Sequence, residues 1–184
     1  MRIRQLTLKE TGRRKLHYSY VADRHYRLAV VRRADGWSVR LAIRRLPKGI
    51  EKRCTSALAA PHVNRPTVFA AFIGKKEVGI VEVGHDTWNN RLRVWELLVD
   101  EGHRRRGIGS ALMRRAKRHA KEVGARMVVL ETQSCNVGAI EFYRSHGFGL
   151  IGFDAGAYSN DDVEKGEVRL EFGLRLEGKK SSKR

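Results

Sequence analysis

The stretch Arg104-Arg105-Arg106-Gly107-Ile108-Gly109-Ser110-Ala111-Leu112-Met113 joins three positive charges to two glycines and an apolar run. The apolar residues from there on recur at helical spacing: Ile108, Leu112, Ala116, Ala120 and Val123. The pattern predicts a helix that opens at Gly107 and stops at Gly124. A helix start has unpaired N–H groups and a positive dipole end, so it attracts anions. The stretch therefore indicates either a cradle for one phosphate group or a patch for nucleic acid.

The segments on both sides of this helix have the character of strands. Three β-favouring runs precede it, TVFAAFI (67–73), GIVEVG (79–84) and LRVWELLV (92–99), and turn residues separate them. They predict an antiparallel meander. The apolar run RMVVLET (126–132) follows the helix, and a right-handed crossover makes it the parallel neighbour of 92–99. The order predicts an α/β fold with a mixed central sheet and flanking helices.

The remaining elements complete the predicted domain. Asn136 is a suitable N-cap for a helix over 137–146, which Gly147 ends. The segments 150–158 and 168–176 alternate as closing strands.

The first part of the chain is less regular. Met1 to Leu8 reads as a short strand, and residues 25–45 read as a hairpin around Ala34-Asp35-Gly36. Residues 46–66, with three prolines, are expected to be connecting structure with one short helix.

The composition predicts one domain over residues 1–176, with a motif-bearing core at 67–176 and a disordered basic tail at 177–184. The net charge of +18 is concentrated in residues 1–60, which hold 16 Lys/Arg and 4 Asp/Glu. A basic surface attracts polyanions, but no nucleic-acid motif accompanies the charge. No apolar window is long enough for a membrane span or a signal core, so we expect a cytoplasmic protein.

The other reactive side chains carry no further motif. The two cysteines, Cys54 and Cys135, lack metal-ligand spacing and are read as ordinary thiols. The seven histidines show no ligand spacing either, so no metal is predicted.

Three blocks together resemble the GNAT acyltransferases. Arg104-x-x-Gly107-x-Gly109 is similar to that family's acetyl-CoA signature, and Asn136 lies four residues after the strand 126–132. The third block is Ala139-x-x-Phe142-Tyr143-x-x-x-Gly147-Phe148. The resemblance covers residues 67–176 and implies the GNAT acyl-CoA N-acyltransferase fold.

A narrower resemblance is to streptothricin acetyltransferases, which are antibiotic-resistance enzymes. The segments that carry it are Trp88-Asn89, Leu130-Glu131-Thr132-Gln133 with Asn136, Gly152-Phe153-Asp154 with Tyr158, and Asp35-Gly36-Trp37. Residues 1–60 match that group poorly and are more basic than such an enzyme needs. The acceptor is therefore less well defined than the family.

The resemblance implies acetyl-CoA as co-substrate. Its pyrophosphate would lie on the backbone of seven residues: Arg104, Arg105, Arg106, Gly107, Ile108, Gly109 and Ser110. Leu97, Leu98 and Val99 would pair with the pantetheine arm through their backbone, like a strand added to a sheet. Asn136 would bond the pantetheine or acetyl region, and simple helix capping is the alternative. The companion blocks favour a phosphate cradle over a nucleic-acid patch.

The family reaction needs a base for the acceptor amine and an acid for the departing thiolate. Glu96 interrupts an apolar run and is the candidate base, and alternation predicts that it shares a face with Val94 and Leu98. An ion pair with an arginine is the alternative. Tyr143 matches the family's acid and would also contact the cofactor, and core packing is the alternative. Backbone N–H groups near a bulge at residue 99 would meet the oxyanion.

The acceptor site is predicted from fewer signals. Glu131 and Asp154, with Asp100 and Glu171, would form an acidic lining for a cationic amine, and Trp88 and Tyr158 would wall it. The predicted function is acetyl transfer from acetyl-CoA to a primary amine of a small cationic acceptor, such as a streptothricin-type antibiotic.

Other functions remain open from sequence. One alternative is a peptide or protein N-acetyltransferase of the ribosomal-protein type. A second is a non-catalytic CoA-sensing or nucleic-acid-associated module, which the charge of residues 1–60 favours. A homodimer through the strand 168–176 is also left open.

Overall fold

The computed structural model describes residues 1–12 and 14–177, so all but the first residue of the predicted tail lies outside the described residues. The elements follow in chain order: β1 (Arg2–Gln5), α1 (Leu8–Thr11), β2 (Lys15–Arg33), β3 (Gly36–Ala57), β4 (Thr67–Ile73), β5 (Lys76–Asp86), β6 (Arg91–Val99), a 3-10 turn (Glu101–His103), α2 (Ile108–Glu122), β7 (Met127–Gln133), α3 (Val137–Ser145), β8 (Gly149–Asp154), α4 (Asp162–Lys165) and β9 (Arg169–Arg175).

The chain forms two compact units, and β2, β3, β7 and β9 each contribute residues to both. The single domain predicted over residues 1–176 stays a prediction. The first unit comprises Met1–His17, Thr55–Leu130 and the chain from Gly173 onward. Its strands lie in the order β1-β4-β5-β6-β7.

The first four of these strands pair antiparallel, as the predicted meander requires. Arg91–Val94 of β6 pair in parallel with Met127–Leu130 of β7, so the predicted crossover is also observed. The sheet of this unit is therefore mixed.

Helix α2 packs on β4, β5 and β6 through its apolar face. The largest fully buried side chains in this core are Phe69, Ile80, Leu92, Leu112 and Met113. The spacing that predicts α2 also predicts a solvated face for Arg114, Arg115 and Arg118. Arg115 departs from this prediction, because its guanidinium lies 4.0 Å from the centre of the Phe69 ring and pairs with Glu122 at 3.1 Å. Its long side chain covers the aromatic ring while the charge stays paired.

The second unit comprises Tyr18–Cys54 and Glu131–Phe172. The chain of β2 and β3 forms a two-stranded sheet, and β9 lies between the end of β7 and β8. The buried side chains of this unit include Leu28, Ile140, Phe148 and Leu170.

The β2–β3 hairpin is longer than the sequence predicts. It runs over Lys15–Ala57 rather than 25–45, so the connecting structure predicted at 46–66 is wrong as far as Ala57. Pro47 suggested a break, because proline cannot donate a ladder hydrogen bond. In a two-stranded sheet β3 has one neighbour, so a proline can lie on its other edge.

Smaller boundary differences occur at other ends. The predicted first strand stops at Gln5, and Leu8–Thr11 form a helical turn. The closing strand predicted over 150–158 stops at Asp154, because a turn and the short α4 follow it.

Candidate functional site

The N-terminus of α2 is open. Its N-cap, Gly107, has a φ of 77° and no side chain, and the first turn contains no acidic residue. The first helical bond runs from Ala111 N–H to Gly107 C=O at 3.0 Å. The N–H groups of residues 107–109 therefore have no acceptor one helical turn earlier. Ile108 is buried, so only its backbone is available at this end of the helix.

Three exposed arginines precede this turn, Arg104, Arg105 and Arg106. Arg104 is partly held, because its Nε donates to Val99 C=O at 3.4 Å and its guanidinium lies 4.0 Å from Glu101. Arg105 has a φ of 59°, an uncommon conformation for a side-chain-bearing residue. Positive charge and an uncapped helix start thus coincide over residues 104–110, which is the chemistry of an anion site.

The loop from β6 into this helix is fixed by Asp100. Its N–H donates to Val78 C=O at 3.0 Å, and its carboxylate lies 3.0 Å from both Lys76 Nζ and His103 Nδ1. The Lys76 contact, with that of His103, lowers the pKa of Asp100 against the effect of desolvation. Asp100 therefore serves the loop rather than the acidic lining suggested by the sequence.

Gly79 on β5 sets how closely α2 approaches the sheet. A Cβ there would lie 3.0 Å from Leu98 C=O, 3.1 Å from Leu112 and 3.2 Å from Ile108. The glycine thus lets the first turns of α2 lie against the end of β6. Sequence reasoning did not single out Gly79, because one glycine in a strand signals only some close backbone approach.

The end of β6 carries the predicted pantetheine segment. Leu97, Leu98 and Val99 pair antiparallel with Val81, Ile80 and Gly79, and their side chains are half-buried. Their backbone therefore already belongs to the sheet, next to the loop that leads to α2.

A β-bulge at Trp95 changes the predicted orientation of Glu96. Glu96 pairs with Glu82, whereas Val94 pairs with the next residue, Val83, so β6 has one extra residue here. Paired residues share a face and successive residues alternate. Glu96 therefore shares a face with Leu98, as predicted, but not with Val94. The bulge expected near residue 99 is also wrong in position. Bulges commonly redirect side chains near active sites.

Burial raises the pKa of Glu96 to about 7. A carboxyl group with this pKa is partly ionised at neutral pH, as a general base must be. The Glu96 side chain is half-buried and shares a face with its partner on β5, Glu82. Gly79 is an odd number of positions from Glu82 and faces α2. Glu96 therefore faces away from that helix.

Glu82 is a second carboxyl on this face, and sequence reasoning missed it. It is 1% exposed, and its Oε1 accepts a 2.6 Å hydrogen bond from Ala59 N–H. Its Oε2 has no hydrogen-bond partner among the described residues. Burial raises its pKa, against the lowering effects of Ala59 and His62. In the sequence Glu82 looked like the polar face of an alternating strand, and nothing local showed that residues 58–64 cover it.

Helix α3 in the second unit begins differently from α2. Asn136 is its N-cap, and the side-chain Oδ1 accepts from Ala139 N–H at 3.3 Å. The capping role left open by the sequence is therefore observed, and it occupies the oxygen of the amide.

Tyr143 lies on α3 with its ring in an aromatic group. The ring centroid is 5.7 Å from Phe142 and 6.3 Å from both Phe148 and Phe172. The ring of Tyr143 therefore packs among other aromatic side chains, which is the core-packing alternative. It leaves the phenol hydroxyl as the only part of the side chain that could transfer a proton.

The predicted acidic lining is partly neutralised. Arg169 Nη2 lies 2.7 Å from a Glu131 oxygen and 2.8 Å from a Glu171 oxygen. One guanidinium is thus shared by two carboxylates.

Tyr158 is 47% exposed, and burial, together with the charge of Glu131, raises its pKa to about 12. Its N–H donates to the buried Asp162 at 2.9 Å, and the Ser159 hydroxyl donates to the same carboxylate at 2.8 Å. Asp162 therefore organises the loop that carries Tyr158.

The other two predicted acceptor residues have local roles. Asp154 Oδ1 accepts from Gly156 N–H at 3.0 Å, which closes a turn after β8. Trp88 lies in the turn between β5 and β6 of the first unit and is 84% exposed.

Sequence reasoning also missed a partly buried polar group around Tyr20 of the second unit. The Tyr20 hydroxyl donates to Gln133 Oε1 at 2.7 Å and lies 3.6 Å from Cys135 Sγ. Burial raises the pKa of Cys135, which opposes a nucleophilic role and agrees with its reading as an ordinary thiol.

Two features are absent from residues 1–12 and 14–177, the residues that the structure describes. Among them, no group of three or more His, Cys, Asp or Glu side chains has the arrangement to hold a metal ion. In the same residues, no helix combines the length and apolar character needed to cross a membrane.

Comparison with known proteins finds streptothricin acetyltransferases among the relatives of this chain. A streptothricin acetyltransferase of Streptomyces lavendulae is 41% identical over 96 residues, 52% of this chain and 50% of that protein. Streptothricin acetyltransferase A of Bacillus subtilis (strain 168) is 30% identical over 50% of this chain and 53% of its own length. The chain thus spans about half the length of the curated relatives it matches.

Among solved structures, a nourseothricin acetyltransferase has a TM-score of 0.72 at 28% identity, over 96% of this chain and 98% of that one. A Bacillus anthracis protein solved with acetyl coenzyme A has a TM-score of 0.72 at 24% identity, over 95% and 97% of the two chains, which is a likeness of fold.

The family itself is identified by a match over most of the chain. The sequence model of the acetyltransferase (GNAT) family matches residues 40–148, more than half of the 184 residues. The predicted fold class and the resemblance to streptothricin acetyltransferases are confirmed. The chain belongs to the acetyltransferase (GNAT) family.

Proposed function

We propose that this protein transfers the acetyl group of acetyl-CoA to a primary amine of a small cationic acceptor, a streptothricin-type antibiotic. The observation that carries the proposal is the uncapped, arginine-flanked start of α2, which follows a strand holding a carboxyl group with a pKa of about 7. The likeness to streptothricin acetyltransferases supports the choice of acceptor.

The start of α2 fits a pyrophosphate. Gly107 presents no Cβ, and an added Cβ would find no atom within 4 Å, so the space in front of the turn is open. The N–H groups of residues 107–109 donate to the phosphate oxygens, and Arg104, Arg105 and Arg106 add favourable potential. The backbone of Leu97–Val99 pairs with the pantetheine arm.

Glu96 is the base in this proposal. A lysine-like acceptor amine has a pKa of about 10.4, so it is protonated at pH 7. Converting it to the neutral amine at that pH costs about 4.6 kcal/mol. A carboxylate with a pKa of about 7 accepts the amine proton, directly or through water. Glu82 is assigned a supporting role, because its Oε1 is already bonded to Ala59 N–H.

Tyr143 is the acid, and its ring is fixed by the aromatic residues around it. Acetyl-CoA supplies a thioester, so the amine nitrogen bonds to the carbonyl carbon while the carbon–sulfur bond breaks. The Tyr143 hydroxyl donates a proton to the departing sulfur, and Glu96 holds the first proton taken from the ammonium group. The second proton, which the nitrogen loses as the amide forms, goes to water. One proton is gained and one lost by the protein, and transfer is direct, without an acyl-protein intermediate.

The acceptor is cationic in this proposal because of the carboxylates near Tyr158. Glu131 and Glu171, which share Arg169, are the carboxylates toward which a cationic group of the acceptor would be attracted. Tyr158 stays protonated at neutral pH and provides a half-exposed ring beside them.

The test is thiol release from acetyl-CoA with streptothricin, free lysine, spermidine and a ribosomal N-terminal peptide as acceptors. We expect rapid turnover with streptothricin and slow turnover with the other three. Preferred turnover of the peptide would instead establish a protein acetyltransferase. Acetyl-CoA binding with no turnover on any acceptor would contradict the proposed acceptor and leave the cradle intact.

A further inference from the structure

The β2–β3 hairpin carries a surface that has no part in the acetyl transfer proposed above. Its strands have 19 and 22 residues, whereas an average strand has about 5 to 6. All residues from Val30 to Arg40 except Gly36 are exposed. We call residues 24–45, the turn and the strand segments beside it, the basic ribbon.

The basic ribbon is positively charged and almost without internal neutralisation. It contains seven arginines and one acidic residue, Asp35. Only Arg24 forms an ion pair, with Asp23 at 3.5 Å; no other ribbon arginine has a carboxylate within 4 Å in the part of the chain that the structure describes. Some arginines elsewhere are paired, such as Arg14 with Glu77 and Arg144 with Glu141. The ribbon therefore presents positive charge to a partner.

Three of these arginines surround one shallow cavity of about 150 Å³. Arg27, Arg40 and Arg44 line it together with two small residues, Ala29 and Ala42. The small side chains leave room between the guanidinium groups on one face of the ribbon. Guanidinium groups bind phosphate oxygens in a two-point geometry, so this face matches a phosphodiester backbone.

The tip of the ribbon also exposes apolar side chains. Trp37 is 70% exposed, and Val31 and Val39 are nearly half exposed. Arginines alone would keep an open strand edge from aggregating, but that purpose does not require an exposed tryptophan at the turn. Apolar and aromatic groups among arginines suit a partner that offers both phosphates and base edges.

We propose that the basic ribbon is a docking surface for double-stranded DNA. The major groove of B-form DNA is about 12 Å wide and admits a two-stranded β-ribbon. The corresponding groove of duplex RNA is too deep and narrow for side chains to read. Single strands are bound by successive aromatic side chains, whereas Trp37 is the one exposed aromatic residue of the ribbon. A second copy of the chain would bring like charges together.

The test is fluorescence anisotropy with a labelled 20-base-pair duplex between 50 and 300 mM salt. Arg32→Gln, Arg33→Gln and Arg40→Gln are combined in one variant, since all three side chains are exposed. The loss of three phosphate contacts reduces the slope of log affinity against log salt by about 2 to 3. The same relation gives a loss of about 100-fold in affinity at 0.15 M salt.

A matched variant removes three charges from the exposed side of α2: Arg114→Gln, Arg118→Gln and Lys121→Gln. We expect it to bind the duplex within about threefold of the wild-type protein, because general charge is a long-range and screened effect. Circular dichroism melting curves establish that both variants are folded.

Several results would overturn the proposal. These are no duplex binding at 50 mM salt, an equal loss in both variants, or tighter ribbon-dependent binding to single-stranded RNA than to the duplex. Tighter binding to vesicles of phosphatidylserine and phosphatidylcholine would assign the ribbon to a lipid surface instead. A dimer in light scattering that the ribbon variant converts to a monomer would assign it to a second copy.

Discussion

The helices α2 and α3 begin in opposite ways. At α3, the side chain of Asn136 satisfies Ala139 N–H, so that helix start is completed by the protein itself. At α2, Gly107 offers no side chain, the first turn has no acidic residue, and exposed arginines precede it. The difference agrees with the proposed roles of the two helices: the start of α2 is left to an external anion, while α3 carries the proposed acid, Tyr143.

The largest expected effect comes from filling the open start of α2. Gly107→Leu puts a side chain where the phosphates lie and loses at least two charge-assisted hydrogen bonds. At about 1.5 kcal/mol each, these weaken acetyl-CoA binding by about 100-fold, measured by calorimetry. The control is Gly124→Leu at the other end of the same helix. Gly124 has a φ of 71° and equally open surroundings, so this variant bears similar strain. Unchanged affinity in Gly107→Leu would remove the phosphate cradle.

The second prediction separates binding from chemistry. Tyr143→Phe keeps the ring among its aromatic neighbours but removes the hydroxyl. We expect turnover to fall by about 100-fold or more, with the affinity for acetyl-CoA unchanged. Phe142→Leu is the control, because it disturbs the same aromatic group and spares the hydroxyl. It should lower the melting temperature and largely keep turnover. Turnover of Tyr143→Phe within about twofold of wild type would exclude the tyrosine as the acid.

The strand before α2 gives a pH prediction. The base must be ionised, and the pKa of Glu96 is about 7. The ratio kcat/KM should therefore fall about tenfold for each pH unit below 7. Glu96→Gln should remove this fall of kcat/KM below pH 7, together with most of the activity. Glu82→Gln should keep the fall of kcat/KM below pH 7. If the fall disappears in Glu82→Gln instead, Glu82 is the base and Glu96 has the supporting role.

Stability should respond in the corresponding direction. Burial raises the pKa of Glu96 above its ordinary value, so the folded protein favours the protonated form. Its contribution to the free energy of unfolding is present at acid pH and is lost as the pH rises through about 7. Relative to wild type, Glu96→Gln should therefore be more stable at pH 8 than at pH 5 in urea titrations.

The smallest expected effect concerns the cap of α3. Asn136→Ala removes the bond to Ala139 N–H and should lower the free energy of unfolding by about 1 kcal/mol. Asn136→Asp keeps the capping oxygen and replaces the amide nitrogen, which we propose bonds to the cofactor. It should keep stability and weaken acetyl-CoA binding by about fivefold, the value of one neutral hydrogen bond. Equal affinity in Asn136→Asp and wild type would leave Asn136 as a cap alone.

The features that the sequence predicted are local ones. The start of α2 at Gly107, its end at Gly124 and the cap at Asn136 follow from residue types whose backbone preferences act within one turn. The meander and the parallel crossover followed from apolar runs of strand length and from the handedness rule.

The features that the sequence missed depend on residues distant in the chain. Glu82 is buried because the segment after β3 lies over it, and Asp100 is occupied by Lys76 and His103. The length of β3 depended on whether a further strand would pair with the edge that carries Pro47. None of these partners is specified by the local pattern.

The bulge at Trp95 gives β6 two phases. Before the bulge, even-numbered residues such as Val94 face one side of the sheet. After the bulge, even-numbered residues such as Glu96 face the other side. A substitution cannot change this assignment, but a change of length can. Deletion of one residue at the bulge would restore a single phase, so that either Glu96 or the residues before the bulge must turn to the other face. Among natural relatives, insertions and deletions at this point, rather than exchanges of amino acid, would be the events that move the base from one side of the sheet to the other.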